Sequence, residues 1–285
     1  MCTVTWAPVD GGYELFMNRD ELHTRGPALP PARKTHDGVT YIAPTDSDAG
    51  GTWIAANEHG VVACLLNNFP SMLRMASGAD RRVDTTRLPR GAESRGLIPP
   101  ALMAARSLTE LDSHLRHLDH TQFNPFYVFA LGPGGVSSTA SLHGDGQPPP
   151  VTARLYRWDG TGSLTAIPDP ELPVSTSSFM AKEVLANRAA VFHKRMGVDP
   201  AAYADAVATN TRNYRNATSP ADLVAYHRSH VPERGPYSVC VHRDDAGTKN
   251  FSRVSVLHDT VTFAYVDGPP CEDGPLATES IPLRP

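Results

Sequence analysis

Cysteine is scarce in this chain: of 285 residues only Cys2, Cys64, Cys240 and Cys271 are cysteine, and no two form a CxxC pair. That spacing argues against a zinc knuckle and against a disulfide framework. An excess of one charge is also missing, since 26 Lys and Arg face 30 Asp and Glu for a net charge of -4. No polycationic surface is implied, so neither nucleic acid nor an anionic membrane is expected as a partner. Apolar runs of membrane-spanning length are absent, and the N-terminus has neither the basic flank nor the continuous apolar stretch of a signal peptide. No stable membrane insertion is expected, and the expected location is cytoplasmic. Internal repeats are lacking too, and the glycines of "GPGG" at 132 to 135 fit no phosphate-binding loop.

What is present is an ordinary globular composition, 40% hydrophobic and 20% charged. It can bury a sizeable core, and with no convincing internal boundary residues 1–285 read as a single domain. Strand signals dominate the first seventy residues. The runs "CTVTWAPV" and "GYELFMNRDEL" alternate on either side of Asp10-Gly11, a dipeptide that favours a type I′ hairpin turn. "GVTYIAP" is a further strand, and "GGTWIAANEHGVVACLLNNFP" reads as a second hairpin turning at Asn57 to Gly60. Residues 70 to 95 are polar and arginine-rich and read as a loop. Helical periodicity follows in "PPALMAARSLTELDSHLRHL", with Pro100 near one helix start and Ser107 to Glu110 resembling a capping box at another. "FNPFYVFAL" and "ARLYRWDG" return to strand, and helices are expected at about 178 to 196 and within 200 to 230. "YSVCVHRDDAGTKNFSRVSVLHDTVTFAYVDG" closes the chain as a meander of strands. Strands at both ends with helices between them predict a layered α+β architecture.

The opening hairpin brings chemistry together. A two-residue loop at Asp10-Gly11 sets Cys2 opposite Arg19, and a three-residue loop sets it opposite Asp20. Directly opposed side chains have Cβ atoms about 4.5 to 5.5 Å apart, so either register puts a guanidinium or a carboxylate within reach of the thiol. Removal of Met1, usual before a small second residue, leaves Cys2 with a thiol and a free α-amine on one carbon. That amine ordinarily titrates at ~8 and can serve as the thiol's general base. Arg19 nearby favours the thiolate, which is the attacking species. Asn67 and Asn68, at the end of the second hairpin, carry amides of the kind that donate to a developing oxyanion. Gly50-Gly51 allows close approach of backbone to the site.

The same residues carry a family resemblance. "MC" at the terminus, "NRDE" at 18 to 21, "GGTW" and "HGVVACLLNN", followed by "SRG" at 94 to 96, "FNPFYVFAL" and "PVSTSS", resemble the NRDE family, whose eukaryotic members are transport and Golgi organisation proteins. More distantly, the opening and "NEHGVVACLLNNFP" resemble the choloylglycine hydrolase and penicillin V acylase branch of the N-terminal nucleophile hydrolases. The resemblance implies a four-layer αββα sandwich and hydrolysis of a non-peptide amide bond in a small acylated substrate. It implies Cys2 as nucleophile, Arg19 and Asp20 as the groups that hold and polarise it, and Asn67 as oxyanion donor. A gapless match puts Asn18 and Glu21 where the acylases carry an arginine and an aspartate three residues apart. Thr176 stands where relatives have the asparagine of "LSN", a shorter donor. No cofactor and no metal are assigned. The alternative reading, from roles proposed for eukaryotic relatives, is a non-catalytic carrier or trafficking factor for haem or an acyl lipid. A third is a remnant whose site only holds the fold.

Other polar clusters read as structure. Cys64 and Cys240 lie in strand-like apolar runs and are expected to be small core residues. His114, His117 and His120 recur every three residues along one expected helix and read as its wet face rather than as metal ligands. His227 and His230, near an expected helix C-terminus, read as dipole and capping partners. Asp46 and Asp48 in "PTDSDAGG" read as turn residues. The arginines between 81 and 95 are either part of a solvated loop or contacts for an anionic group at a cleft mouth.

Overall fold

The computed structural model describes residues 1–69, 71, 92–134, 151–178, 180–197 and 219–284. In it β1 (Cys2–Val9) and β2 (Gly12–Leu22) pair antiparallel in the two-residue register, Cys2 opposite Arg19 and Val9 opposite Gly12. The turn departs from type I′, which needs positive φ at both central residues. Gly11 has it, at 76°, and Asp10 does not.

The remaining strands are β3 (Ala28–His36), β4 (Val39–Asp46), β5 (Ile54–Asn57), β6 (Val62–Asn67), β7 (Phe126–Pro133), β8 (Val151–Trp158), β9 (Leu164–Pro168), β10 (Val174–Thr176), β11 (Ala246–Leu257), β12 (Thr260–Asp267) and β13 (Leu276–Pro282). They form two sheets, ordered β10-β1-β2-β11-β12-β13 and β3-β4-β5-β6-β7-β8-β9. The helices are α1 (Ile98–Ala101), α2 (Leu108–His117), α3 (Ala181–Met196) and α4 (Pro220–His227). Ile98, Leu108, Leu111 and Leu115 from α1 and α2 pack with Ala63, Phe126 and Val128 on the outer face of the second sheet. α3 and α4 pack on β10, β1 and β2 at the outer face of the first. The layers therefore run helix, sheet, sheet, helix. Trp6, Leu15, Trp53, Ile54, Cys64 and Phe129 belong to the main core, and Cys64 is the small buried residue its context predicts. β5 and β6 are buried along both faces, which is why their apolar run shows little alternation.

Several local expectations change. β3 carries Pro30 and Pro31, which mask it as a strand; it is tolerated because β3 is an edge strand whose register shifts between Leu29 and Ala32. The expected strand around "YSVCVHR" does not form. Regular pairing with β2 starts only at Ala246, and Cys240 N–H instead donates to Ser229 O at 3.1 Å while Val241 N–H donates to Thr248 Oγ1 at 2.8 Å. At α2, Ser107 Oγ accepts from Glu110 N–H at 3.2 Å, but Glu110 Oε2 accepts from Arg106 N–H rather than from Ser107, so the box is shifted by one residue. His120 lies beyond α2 in a 3-10 turn, and His117 and His120 bond the carbonyls of Ser113 and Leu115. Of the helix expected within 200 to 230, α4 is the described part; 198–218 lie outside the described residues, as do Arg81, Arg82, Arg87 and Arg90. Among the described residues, no helix is long and apolar enough to cross a membrane.

Candidate active site

Alternation along the hairpin divides the "NRDE" cluster between two faces. Cys2, Val4, Trp6, Leu15, Met17 and Arg19 share the face turned toward the second sheet, while Thr3, Thr5, Phe16, Asn18 and Asp20 face α3 and α4. Met1 extends the ladder by one pair: its amine donates to Asp20 O at 2.8 Å, and Asp20 N–H donates to Met1 O at 2.8 Å. Cys2 and Arg19 are then a non-hydrogen-bonded pair, the kind whose side chains come closer. On its other side Cys2 lies opposite Thr176 of the edge strand β10.

Cys2 opens into a cleft of about 380 Å³ whose lining includes Arg19, Glu21, Trp53, Asn67, Arg95 and Asn124. Arg19 is almost wholly buried, bonds Asp46 Oδ2 at 3.0 Å and lies 4.4 Å over the Trp53 ring. Charge and stacking together fix its fork. Asp46 does more than form a turn. Its Oδ1 accepts from the Asp48 and Ala49 amides, and its Oδ2 also takes Arg25 at 2.9 Å. Burial would raise its pKa, but the Arg25 hydrogen bond and the charges of Arg19 and Arg25 hold it below the usual carboxylate value. Gly51 is needed where the strand passes the "SRG" turn, because a Cβ there would sit 2.5 Å from the Gly96 carbonyl carbon. Thr52 N–H donates to Gly96 O at 2.9 Å across that approach. This contact brings Arg95 into the lining, where its guanidinium donates to Pro125 O at 3.0 Å. Burial lowers Arg95 to about 10, so it stays charged at neutral pH.

The expected site residues fall into two groups. Cys2, Arg19, Glu21 and Asn67 share the cleft, and Asp20 also contributes to its lining. The Asn67 amide hydrogen-bonds to no described residue, and Thr176 Oγ1, beside Cys2, is buried without a partner among the described residues. The Asp20 carboxylate points to the helices, where it accepts from Thr248 Oγ1 at 2.7 Å and pairs with Arg188 at 3.4 Å. Asn18 donates to His227 O and Val239 O, and its Oδ1 meets His227 Nδ1 at 3.0 Å. Asn68 donates to Trp158 O at 3.0 Å and is absent from the cleft lining. Of the arginines between 81 and 95, read as loop residues or as contacts for an anionic group at a cleft mouth, Arg95 is the described one and it lines the cleft. Trp53 and Asn124, whose buried Oδ1 has no partner among the described residues, are cleft residues to which no role was attached from sequence. "GGTW", "SRG" and "FNPF" marked their segments.

Two electrostatic expectations are corrected. Arg19 does not by itself make Cys2 a thiolate: burial pushes the thiol up, and although the N-terminal amine and Arg19 pull it down, Asp20 and Glu21 oppose them. His227 is no charged dipole partner either. Burial, and then the charge of Arg188, lower it to about 3, so it is a neutral buried link between Thr5 Oγ1 and Asn18.

Residues 1–142 match the model of a family described as Transport and Golgi organisation 2. The family likeness rests on that stretch, just under half of the chain. The family match spans both opening hairpins and the "SRG" turn, hence most of the cleft lining. Among solved structures, the C2A mutant of conjugated bile acid hydrolase from Clostridium perfringens is similar, with a TM-score of 0.53 at 10% identity over 99% of this chain and 92% of that one. A Caenorhabditis elegans ortholog of N-acylethanolamine-hydrolyzing acid amidase has a TM-score of 0.47 at 10% identity, covering 89% and 92%. The first likeness shows the fold alone, a four-layer αββα sandwich shared with that hydrolase. No curated protein sequence matches the chain significantly.

Proposed function

We propose that this chain, acting as one domain, is a cysteine N-terminal nucleophile amidohydrolase that cleaves a small acylated amide. The observation that carries the reading is the position of Cys2: first residue of β1, facing a cleft it shares with the Asn67 amide, which has no partner among the described residues. Once Met1 is removed, the Cys2 α-amine takes the Sγ proton and the thiolate attacks the amide carbonyl carbon. The oxyanion accepts from Asn67, with the Thr176 hydroxyl as a second, shorter donor. Collapse breaks the C–N bond, the ammonium protonates the leaving amine, and a thioester remains on Cys2. Water, deprotonated by the same amine, attacks the thioester and releases the acid.

Arg19 holds one wall of the cleft through Asp46 and Trp53, and Asp20 anchors the terminal strand from behind. A lining that holds Arg19, Glu21, Arg95 and Asn124 suits a small polar amide better than haem. The test is a panel of small N-acyl amides, followed by amine release and by intact mass after acid quench. Wild type should accumulate an acyl adduct on Cys2 and Cys2→Ala none; equal turnover by Cys2→Ala would remove the nucleophile.

A further inference from the structure

A second cluster of reactive side chains lies on the helix side of the first sheet, away from the cleft. We propose that His230, Cys240, His242 and Cys271 form a structural zinc site. Their ligating atoms all lie within 4.8 Å of one another. From His242 Nε2 the distances are 3.2 Å to His230 Nε2, 3.5 Å to Cys240 Sγ and 3.4 Å to Cys271 Sγ. Bonds of about 2.0 to 2.3 Å to a tetrahedral ion put ligand atoms roughly 3.3 to 3.8 Å apart, so these are close to the edges of such a tetrahedron.

Hydrogen bonding alone does not account for the convergence. One imidazole nitrogen carries at most one proton and can serve only one of three neighbours. A disulfide between Cys240 and Cys271 would leave both histidines aimed at it without purpose. Two thiolates and two neutral imidazoles around Zn²⁺ give a neutral, four-coordinate centre, and its formation releases two thiol protons to solvent. With four protein ligands no position is left for substrate, so the ion's role is structural.

The backbone around the cluster needs such a fastening. Residues 228–245 connect α4 to β11 with one isolated bridge, His242 to Gly247, as their only strand pairing among the described residues. An irregular connection of that length inside a packed layer calls for a local constraint. Cys271 comes from the separate turn between β12 and β13, so the ion would tie that turn to the connection. The connection in turn supports the hairpin: Val239 O accepts from Asn18, and Val241 bonds Thr248, whose hydroxyl donates to Asp20. Ligation through His242 Nε2 moves its proton to Nδ1, from which the exposed Arg234, now 3.3 Å away, must withdraw. No sequence spacing marks this site, because its ligands come from two loops and lack a CxxC pair.

The experiment uses the untagged full chain, purified without chelator under reducing conditions, with metal content measured by elemental mass spectrometry. About one zinc per chain is expected, falling to a small fraction in Cys271→Ser and in His230→Ala and unchanged in Cys2→Ala. Both altered residues are half-buried, which favours folding of the variants. Should either fail to fold, cobalt titration of the chelated wild type decides instead, since two thiolates in a tetrahedral site give thiolate-to-cobalt charge transfer and strong d–d bands. Retention of metal by both variants, no uptake from micromolar zinc sulphate by the reduced chain, or cobalt spectra without thiolate bands would overturn the proposal. So would a metal-free chain carrying a Cys240–Cys271 disulfide.

Discussion

The two faces of the first hairpin differ in how completely their polar groups are bonded. On the helix side, Thr3, Asn18 and Asp20 are held by Arg188, His227, Val239 and Thr248, and the Asp20–Arg188 pair is fully buried. On the cleft side, Cys2 lies beside a Thr176 hydroxyl and shares its cavity with an Asn67 amide, neither of which any described residue engages. One motif therefore does two jobs, with positions 18 and 20 fastening the strand and positions 19 and 21 lining the cleft. Buried polar groups are nearly always satisfied where they hold a fold, and the helix-side bonds of this hairpin follow that rule.

Substitutions on each side sharpen that contrast. The largest effect is expected from Cys2→Ala, which should abolish amide turnover while shifting the thermal midpoint only slightly; Cys2→Ser should leave a trace of activity. Asn67→Ala should lower kcat by about 10²- to 10³-fold with the fold intact, as loss of one oxyanion donor does. Asp20→Asn reverses the signature. It strands the Arg188 charge in the interior and should cost about 3–5 kcal/mol in denaturant unfolding, much of it recovered when Arg188→Met is added. If Asp20→Asn instead spared stability and stopped turnover, the division of the motif between faces would be wrong.

The pH dependence comes from the helix side too. His227 is held at about 3 against an ordinary 6.5. Because its folded pKa is depressed, the stabilisation is complete above the unfolded value and is lost as pH falls from there toward 3, by up to about 1.4 kcal/mol per pH unit. Burial raises Asp20, whose contribution grows on acidification and so opposes this loss. Unfolding midpoints of His227→Gln measured between pH 6.5 and 4 should fall less steeply than those of wild type. The smallest effect belongs to the exposed Arg116–Asp112 pair on α2, at 2.8 Å; Arg116→Ala should cost less than about 0.5 kcal/mol.

Much of this was legible in the chain itself. Period-two alternation around Asp10-Gly11 narrowed the register to two, Cys2 against Arg19 or against Asp20, because a short loop allows few pairings; the structure selects Arg19. The same alternation separates Arg19 from Asp20, yet only the positions of α3 and α4 reveal which carboxylate is an anchor and which side chain enters the cleft. β3 was hidden by its prolines, and the strand expected at "YSVCVHR" failed because apolar content says nothing of whether a neighbouring strand is there to pair with it. Arg95 reaches the cleft through a contact between Gly51 and Gly96, residues far apart in the chain and with no local signature of meeting. The His230, Cys240, His242 and Cys271 cluster was beyond local reading for the same reason.

The most direct test of the central claim is intact-mass analysis of the purified chain before and after brief iodoacetamide treatment near neutral pH, with Cys2→Ala as control. The account predicts a chain lacking Met1 that is alkylated at Cys2 ahead of Cys64, Cys240 and Cys271, while any Met1-bearing fraction, whose thiol pKa is raised by burial, reacts slowly. Retention of Met1 throughout, or a Met1-free Cys2 no more reactive than the other thiols, would contradict it.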